Sequence, residues 1–257
     1  MPPQPAPLIL FMDNDAPIGE LGAIILNPAG YDVVILGKLV LPGSTAKVRR
    51  TAHALRPAAL EFQMAKRICV FCGSSSGARE SYATAATSLA RHLVANGIAI
   101  VYGGGRYGLM GNLADAALEA GGEVIGVMPR SLVEKEVSHP RLSDLRIVGS
   151  MHERKAQMAE LSDAFIALPG GYGTFEEFCE VLTWTQLGLQ RKACGILNID
   201  GYYDQLLSLF DHAVEEGFLK PVHRRIVLSD SSPESLVTRL LEYEPPLVEK
   251  WIDLKQT

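Results

Sequence analysis

The sequence predicts an α/β fold, a doubly wound parallel sheet with helices on both faces. Three observations lead there. From Lys66 onward, short apolar runs alternate with amphipathic stretches of helical length. Glycines close several of those stretches where a helix would end. Turns rich in glycine or serine follow three of the apolar runs, at residues 73–77, 103–111 and 170–173. Alternating strands and helices build βαβ units, and these make a parallel sheet.

Taken in order, a strand is predicted over residues 67–72 and a helix over 80–96, closed by Gly97 as C-cap. A second strand spans 98–102, and the helix after its glycine turn ends at Gly121-Gly122. A third strand covers 123–128, and residues 129–141 read as irregular. A strand at 145–148 and a helix at 151–161 follow. The central strand at 165–168 leads into a helix from Thr174 to about residue 187. The rest is a strand at 194–197, a helix at 204–216, a short strand at 226–228 and a helix at 233–241, broken by Pro245-Pro246. Right-handed crossovers make the whole Rossmann-like, with ligands outside the carboxyl ends of the strands.

The centre of the chain is Phe165-Ile166-Ala167-Leu168-Pro169-Gly170-Gly171-Tyr172-Gly173-Thr174-Phe175-Glu176-Glu177. It reads as strand, glycine turn and helix start. Pro169 ends the strand because it has no N–H for a ladder. The turn exposes N–H groups at a helix N-terminus, where the macrodipole favours an anion such as phosphate. Glu176 and Glu177 stand beside that pocket in the expected first turn. Thr174-x-x-Glu177 also matches a capping box, on which Glu177 only holds the helix end.

Composition narrows the function. An apolar content of 47% suffices for a full core, and no apolar stretch is long enough to span a bilayer. A formal net charge of −5 without a basic run argues against a nucleic-acid surface. The four cysteines include Cys69-x-x-Cys72, which lies inside a strand rather than at a helix start, so reduced structural thiols in a cytosol are expected. The histidines form no metal motif, and no metal is expected. Residues 1–63 lack the βαβ rhythm and carry Pro2, Pro3, Pro5 and Pro7. They read as a poorly structured extension without signal-peptide character, with Met64 as an initiator. The domain is expected over 64–245, followed by a tail at 246–257.

Gly103-x-Gly105-x-x-Gly108 satisfies the dinucleotide fingerprint, but it follows the second strand, and no acid is placed for a ribose hydroxyl. Met151-His152-Glu153-Arg154-Lys155 opens a helix with two cations in its first turns, which the dipole disfavours unless they meet an anion.

These motifs together, Gly103 to Gly111, Met151-x-x-Arg154-Lys155 and Pro169-Gly-Gly-x-Gly-Thr-x-x-Glu177, resemble the Lonely Guy (LOG) family over about residues 66–241. The resemblance implies a cytokinin riboside 5′-monophosphate phosphoribohydrolase, cytoplasmic and homodimeric. Its members often carry a lysine decarboxylase label, but no lysine here has a recognisable setting for a pyridoxal phosphate Schiff base. It implies Arg154 and Glu177 as catalytic residues. Glu136, Arg154, Lys155, Thr183 and the loop Gly171, Tyr172, Gly173, Thr174, Phe175, Glu176 would bind substrate. Gly104, Gly105 and Gly170 are further phosphate-binding candidates. No cofactor is implied. The partner is a nucleoside 5′-monophosphate, cleaved to free base and ribose 5-phosphate. The rival reading is a non-catalytic nucleotide or cofactor carrier on the same fold. The N6 substituent and the acid that protonates the leaving base stay open.

Overall fold

In this computed structural model the described residues are 66–135 and 137–244, with two short strands upstream, β1 (Ala23–Ile24) and β2 (Ile35–Leu36), paired antiparallel. Otherwise the expectations for residues 1–63 and 246–257, and the candidate Glu136, lie outside the described residues. By internal contacts the chain divides into two units, 1–59 and 60–257.

The second unit is the α/β body, with seven parallel strands. β3 (Arg67–Phe71), β4 (Ala99–Tyr102), β5 (Val124–Pro129) and β6 (Asp144–Val148) step outward one beside the next. The chain then returns to lay β7 (Ala164–Ala167) on the free side of β3, and β8 (Ala193–Leu197) and β9 (Val227–Asp230) continue that way. The order β6-β5-β4-β3-β7-β8-β9 puts the topological switch between β3 and β7. A crevice opens at the carboxyl ends of such a strand pair.

Strand alternation sends side chains to two cores. Ile68, Val70 and Cys72 face α1 (Glu80–Ala95), α2 (Gly108–Glu119) and α8 (Pro233–Leu241). Cys69 and Phe71 face α4 (Met151–Glu160) and α5 (Tyr172–Gln186). Helices therefore cover both faces, as expected. Leu89, Leu93 and Leu113 have no exposed surface, and burying each contributes about 1.5–3 kcal/mol. The cysteines are free, with Cys69 and Cys72 buried on opposite faces, where burial pushes both thiols well up and keeps them protonated.

Two elements depart from the expected pattern. The stretch read as irregular contains α3 (Arg130–Val133), and α7 (Pro221–Arg224) precedes β9. Both are one turn long, too short to show a helical period. α6 (Asp204–Glu215) is strongly amphipathic yet has no fully buried residue.

Candidate active site

α4 starts at Ser150 as N-cap, with Glu153 reaching back one residue past the N-cap. Ser150 Oγ accepts from Glu153 N at 3.1 Å, and Glu153 Oε2 accepts from Gly149 N at 2.7 Å. This fixes the helix start and points the next two residues, Arg154 and Lys155, toward α5. Both are buried. The anions that the dipole argument requires are there, and all three are carboxylates of the protein, Glu177 for Arg154 and Glu176 and Glu180 for Lys155.

α5 begins two residues earlier than the sequence suggests. Its N-cap is Gly171, with no side-chain cap, and its first turn carries no acidic residue. Thr174 and Glu177 thus lie inside the helix, and the capping reading of Glu177 is wrong. The reason is local. Gly171 takes the extended N-cap conformation itself, and Phe175 N already donates to Gly171 O at 3.1 Å. The N–H groups of Tyr172, Gly173 and Thr174 find no acceptor among the described residues, as at any helix start.

Glu177 instead meets Arg154. Arg154 Nη1 donates to Glu177 Oε1 at 2.6 Å, and Nε donates to Val127 O at 3.0 Å. The guanidinium crosses Gly103, where a Cβ would lie 2.1 Å from Nη2, so glycine is required there to admit the arginine. Among the described residues none donates to Glu177 Oε2. Burial pushes the Glu177 carboxyl above its ordinary range, Arg154 pulls it back, and the net direction is up.

Lys155 Nζ bonds Glu176 Oε1 and, at 3.1 Å, Glu180 Oε1, tying α4 to α5. Desolvation opposes its charge, but the two carboxylates outweigh it and hold its pKa up, so the ammonium is charged.

A cavity of about 310 Å³ lies at the switch point. Of the expected residues, Arg154, Gly171, Tyr172, Gly173, Thr174, Glu176 and Glu177 line it. Lys155, Phe175, Thr183, Gly104, Gly105 and Gly170 do not. Phe175 packs against Tyr202 and Tyr203. Thr183 is exposed farther along α5 and donates to Cys179 O. Gly104 and Gly105 are engaged by the segment after α3, through His139 N to Gly104 O at 2.9 Å and a bridge from Gly105 to Ser138. Gly108, at φ +60°, sits where a Cβ would meet the Ser74 backbone at 2.4 Å. The fingerprint glycine thus serves loop-on-loop packing. The cavity also takes in Cys72, Ser74, Met110 and Met151, which no motif marked individually.

A family model described as "Possible lysine decarboxylase" matches residues 110–240. The probable cytokinin riboside 5′-monophosphate phosphoribohydrolase LOGL9 of Oryza sativa subsp. japonica is 56% identical over 180 residues, 70% of this chain and 79% of the relative. The chain belongs to the LOG family. The cytokinin riboside 5′-monophosphate phosphoribohydrolase LOG5 of Arabidopsis thaliana is 53% identical, with the same coverage of 70% and 79%. Among solved structures, the molybdenum cofactor binding protein of Rippkaea orientalis is 22% identical at TM-score 0.54, covering 70% of this chain and 98% of that one. The molybdenum cofactor carrier protein of Chlamydomonas reinhardtii is 20% identical at TM-score 0.51, covering 69% and 99%. These two likenesses show the fold alone. The decarboxylase description does not suit this LOG-family site: among the described residues no lysine lines the cavity, and the nearby Lys155 is a charged, doubly paired ammonium rather than a nucleophilic amine.

Proposed function

We propose that this cavity hydrolyses the N-glycosidic bond of cytokinin riboside 5′-monophosphates, giving free base and ribose 5-phosphate. The observation that carries the reading is the buried Arg154–Glu177 pair on the same cavity wall as the α5 N-terminus. A carrier needs the anion site but gains nothing from a costly buried ion pair beside it. The relatives' shared name supports the enzyme over the carrier.

In this reading the unpaired N–H groups of Tyr172, Gly173 and Thr174 hold the 5′-phosphate. A water attacks C1′ as the bond to the base nitrogen breaks. Glu177 stabilises the oxocarbenium-like charge and takes the water's proton on Oε2, while the base leaves with the bonding electron pair and takes a proton from solvent, and Glu177 then gives its proton back to solvent. Arg154 holds Glu177 Oε1 and supplies positive charge beside the departing group.

A free-base assay comparing isopentenyladenosine 5′-monophosphate, AMP and the unphosphorylated riboside tests this. The ribotide is expected to exceed the riboside in kcat/KM by at least about a hundredfold, since phosphate binding energy positions the reacting carbon. Equal rates would remove the phosphate site.

The homodimer belongs to this proposal too. Leu187 and Leu189 are 46% and 72% exposed, and Phe218, beyond α6, is 88% exposed. Such apolar surface suits a second copy. Phe178, on the same helix, is buried in the core on the sheet side of α5 and cannot join that surface. Light scattering should give twice the chain mass, and a monomer at micromolar concentration would count against it.

We also place the catalytic unit within 64–245 and the protein in the cytosol. Among the described residues no helix is long and apolar enough to cross a membrane, and free thiols suit a reducing compartment. A chain beginning at Met64 should keep full activity and reach the soluble fraction on cell lysis. Loss of activity in that chain would show that the leading residues take part.

A further inference from the structure

Two tyrosines outside the cavity hold the backbone of the turn that leads into α5. Tyr203 Oη donates to Leu168 O at 2.6 Å, and Tyr202 Oη donates to Gly170 O. No described peptide bond is cis. In a trans peptide the carbonyl and the following N–H point in opposite directions. Pinning Gly170 O on Tyr202 therefore turns Gly171 N–H away from Tyr202, and Gly171 lines the cavity while Tyr202 does not.

The loop that delivers the two rings is itself held in an unusual shape. Asp200, at φ 51°, is the one non-glycine with positive φ among the described residues. Such a conformation persists only where its surroundings impose it. Here Ser81 Oγ donates to Asp200 Oδ2 at 2.6 Å. Asn198 Oδ1 accepts from Tyr203 N, and Asn198 Nδ2 donates to Asp204, both at 2.7 Å. The rings then pack on Tyr82 and Phe175. Satisfying a buried carbonyl explains the Tyr203 bond alone. It does not explain Tyr202, which is 37% exposed, where water could serve Gly170 O equally well.

We propose that Tyr202 is a positioning residue for the 5′-phosphate, turning Gly171 N–H toward the anion, and that Tyr203 supports it by fixing Leu168 O at the start of the turn and packing on the Tyr202 ring, since Pro169 leaves the Leu168 peptide no N–H to orient. This rests on the phosphate reading of the α5 N-terminus. Their joint role is to hold that N–H in a binding-ready direction before the ligand arrives, so their loss should appear in binding of the phosphorylated substrate and not in the chemical step.

The test uses Tyr202→Phe, Tyr203→Phe and the double variant in the full chain. Phenylalanine keeps the ring packing and removes only the hydroxyl. KM for isopentenyladenosine 5′-monophosphate should rise about tenfold in the double variant with kcat within about twofold, the scale of lost hydrogen bonds to the backbone. The inhibition constant of ribose 5-phosphate should rise in parallel, and KM for the riboside should stay put. If Tyr203→Phe unfolds the protein, the half-exposed Tyr202→Phe carries the same comparison at smaller amplitude. A wild type that discriminates ribotide from riboside, with variants whose ribotide KM is unchanged or rises equally on the riboside, overturns the positioning role alone. A wild type that does not discriminate removes the phosphate site and this inference together.

Discussion

Glu177→Gln is expected to lower kcat by about a thousandfold, within the range found for a lost general base, while KM changes only a few-fold. The glutamine keeps the shape of the side chain and an acceptor for Arg154 Nη1, so the buried contact at 2.6 Å survives in neutral form. What it loses is the anionic oxygen that would take a proton from water. KM is spared because, in the proposed function, the phosphate contacts are backbone N–H groups of α5, which the substitution does not touch. The pH profile of the wild type gives a second reading of the same group. As the proposed general base Glu177 would work ionised, and its burial raises its pKa above the ordinary glutamate value. Activity should therefore climb with pH through a window above that ordinary value, and the climb should vanish from the residual activity of the variant. Steady-state kinetics on the ribotide across pH, with thermal unfolding as a control for folding, provides the check. A kcat within a few-fold of wild type would leave Glu177 as no more than a counter-ion for Arg154.

Most of the path to that site was legible in the sequence because it is punctuated locally. Pro169, the glycine run and the apolar strand before them mark a strand–turn–helix, and the observed β7 and α5 lie within two residues of the expected bounds. The cation argument for Arg154 and Lys155 also held, since each meets a carboxylate. It could not say which one, because the partners lie 23 and 21 residues away and the β7 strand that brings them together is placed by sheet order. Template matching misled at Thr174-x-x-Glu177. The pattern fits a capping box, but the side-chain N-cap in use is Ser150, which accepts from Glu153 N one helix earlier. Tyr202 and Tyr203 carried no sequence signal, as a hydroxyl on a carbonyl more than thirty residues away leaves no periodic trace.

Arg154 should be as sensitive as Glu177, for reasons that also reach stability. Its guanidinium serves Val127 O and Glu177 together while passing so close to Gly103 that a Cβ there would clash with it. A lysine ammonium has no fork with which to meet both acceptors. Arg154→Lys is therefore expected to lose about a hundredfold in kcat, and Arg154→Met about a thousandfold, the scale of removing a fixed positive charge from a desolvated site. Arg154→Met also leaves Glu177 as an unpaired buried charge, which costs about 3–5 kcal/mol near neutral pH. The sign with pH follows from the carboxyl. Without Arg154 its chief downward influence is gone, and desolvation drives the folded-state pKa further above the ordinary value. The folded state then holds a proton that the unfolded state has released. Stability of the variant must fall as pH rises from the ordinary glutamate range up through the raised folded-state pKa. Urea denaturation at mildly acidic and mildly alkaline pH should show the penalty growing toward alkaline pH in Arg154→Met. It should shrink in the double variant Arg154→Met/Glu177→Gln, which buries no charge at either position. A penalty that is the same at both pH values, or that the second substitution deepens, would mean that Glu177 does not depend on Arg154 for its burial as an anion.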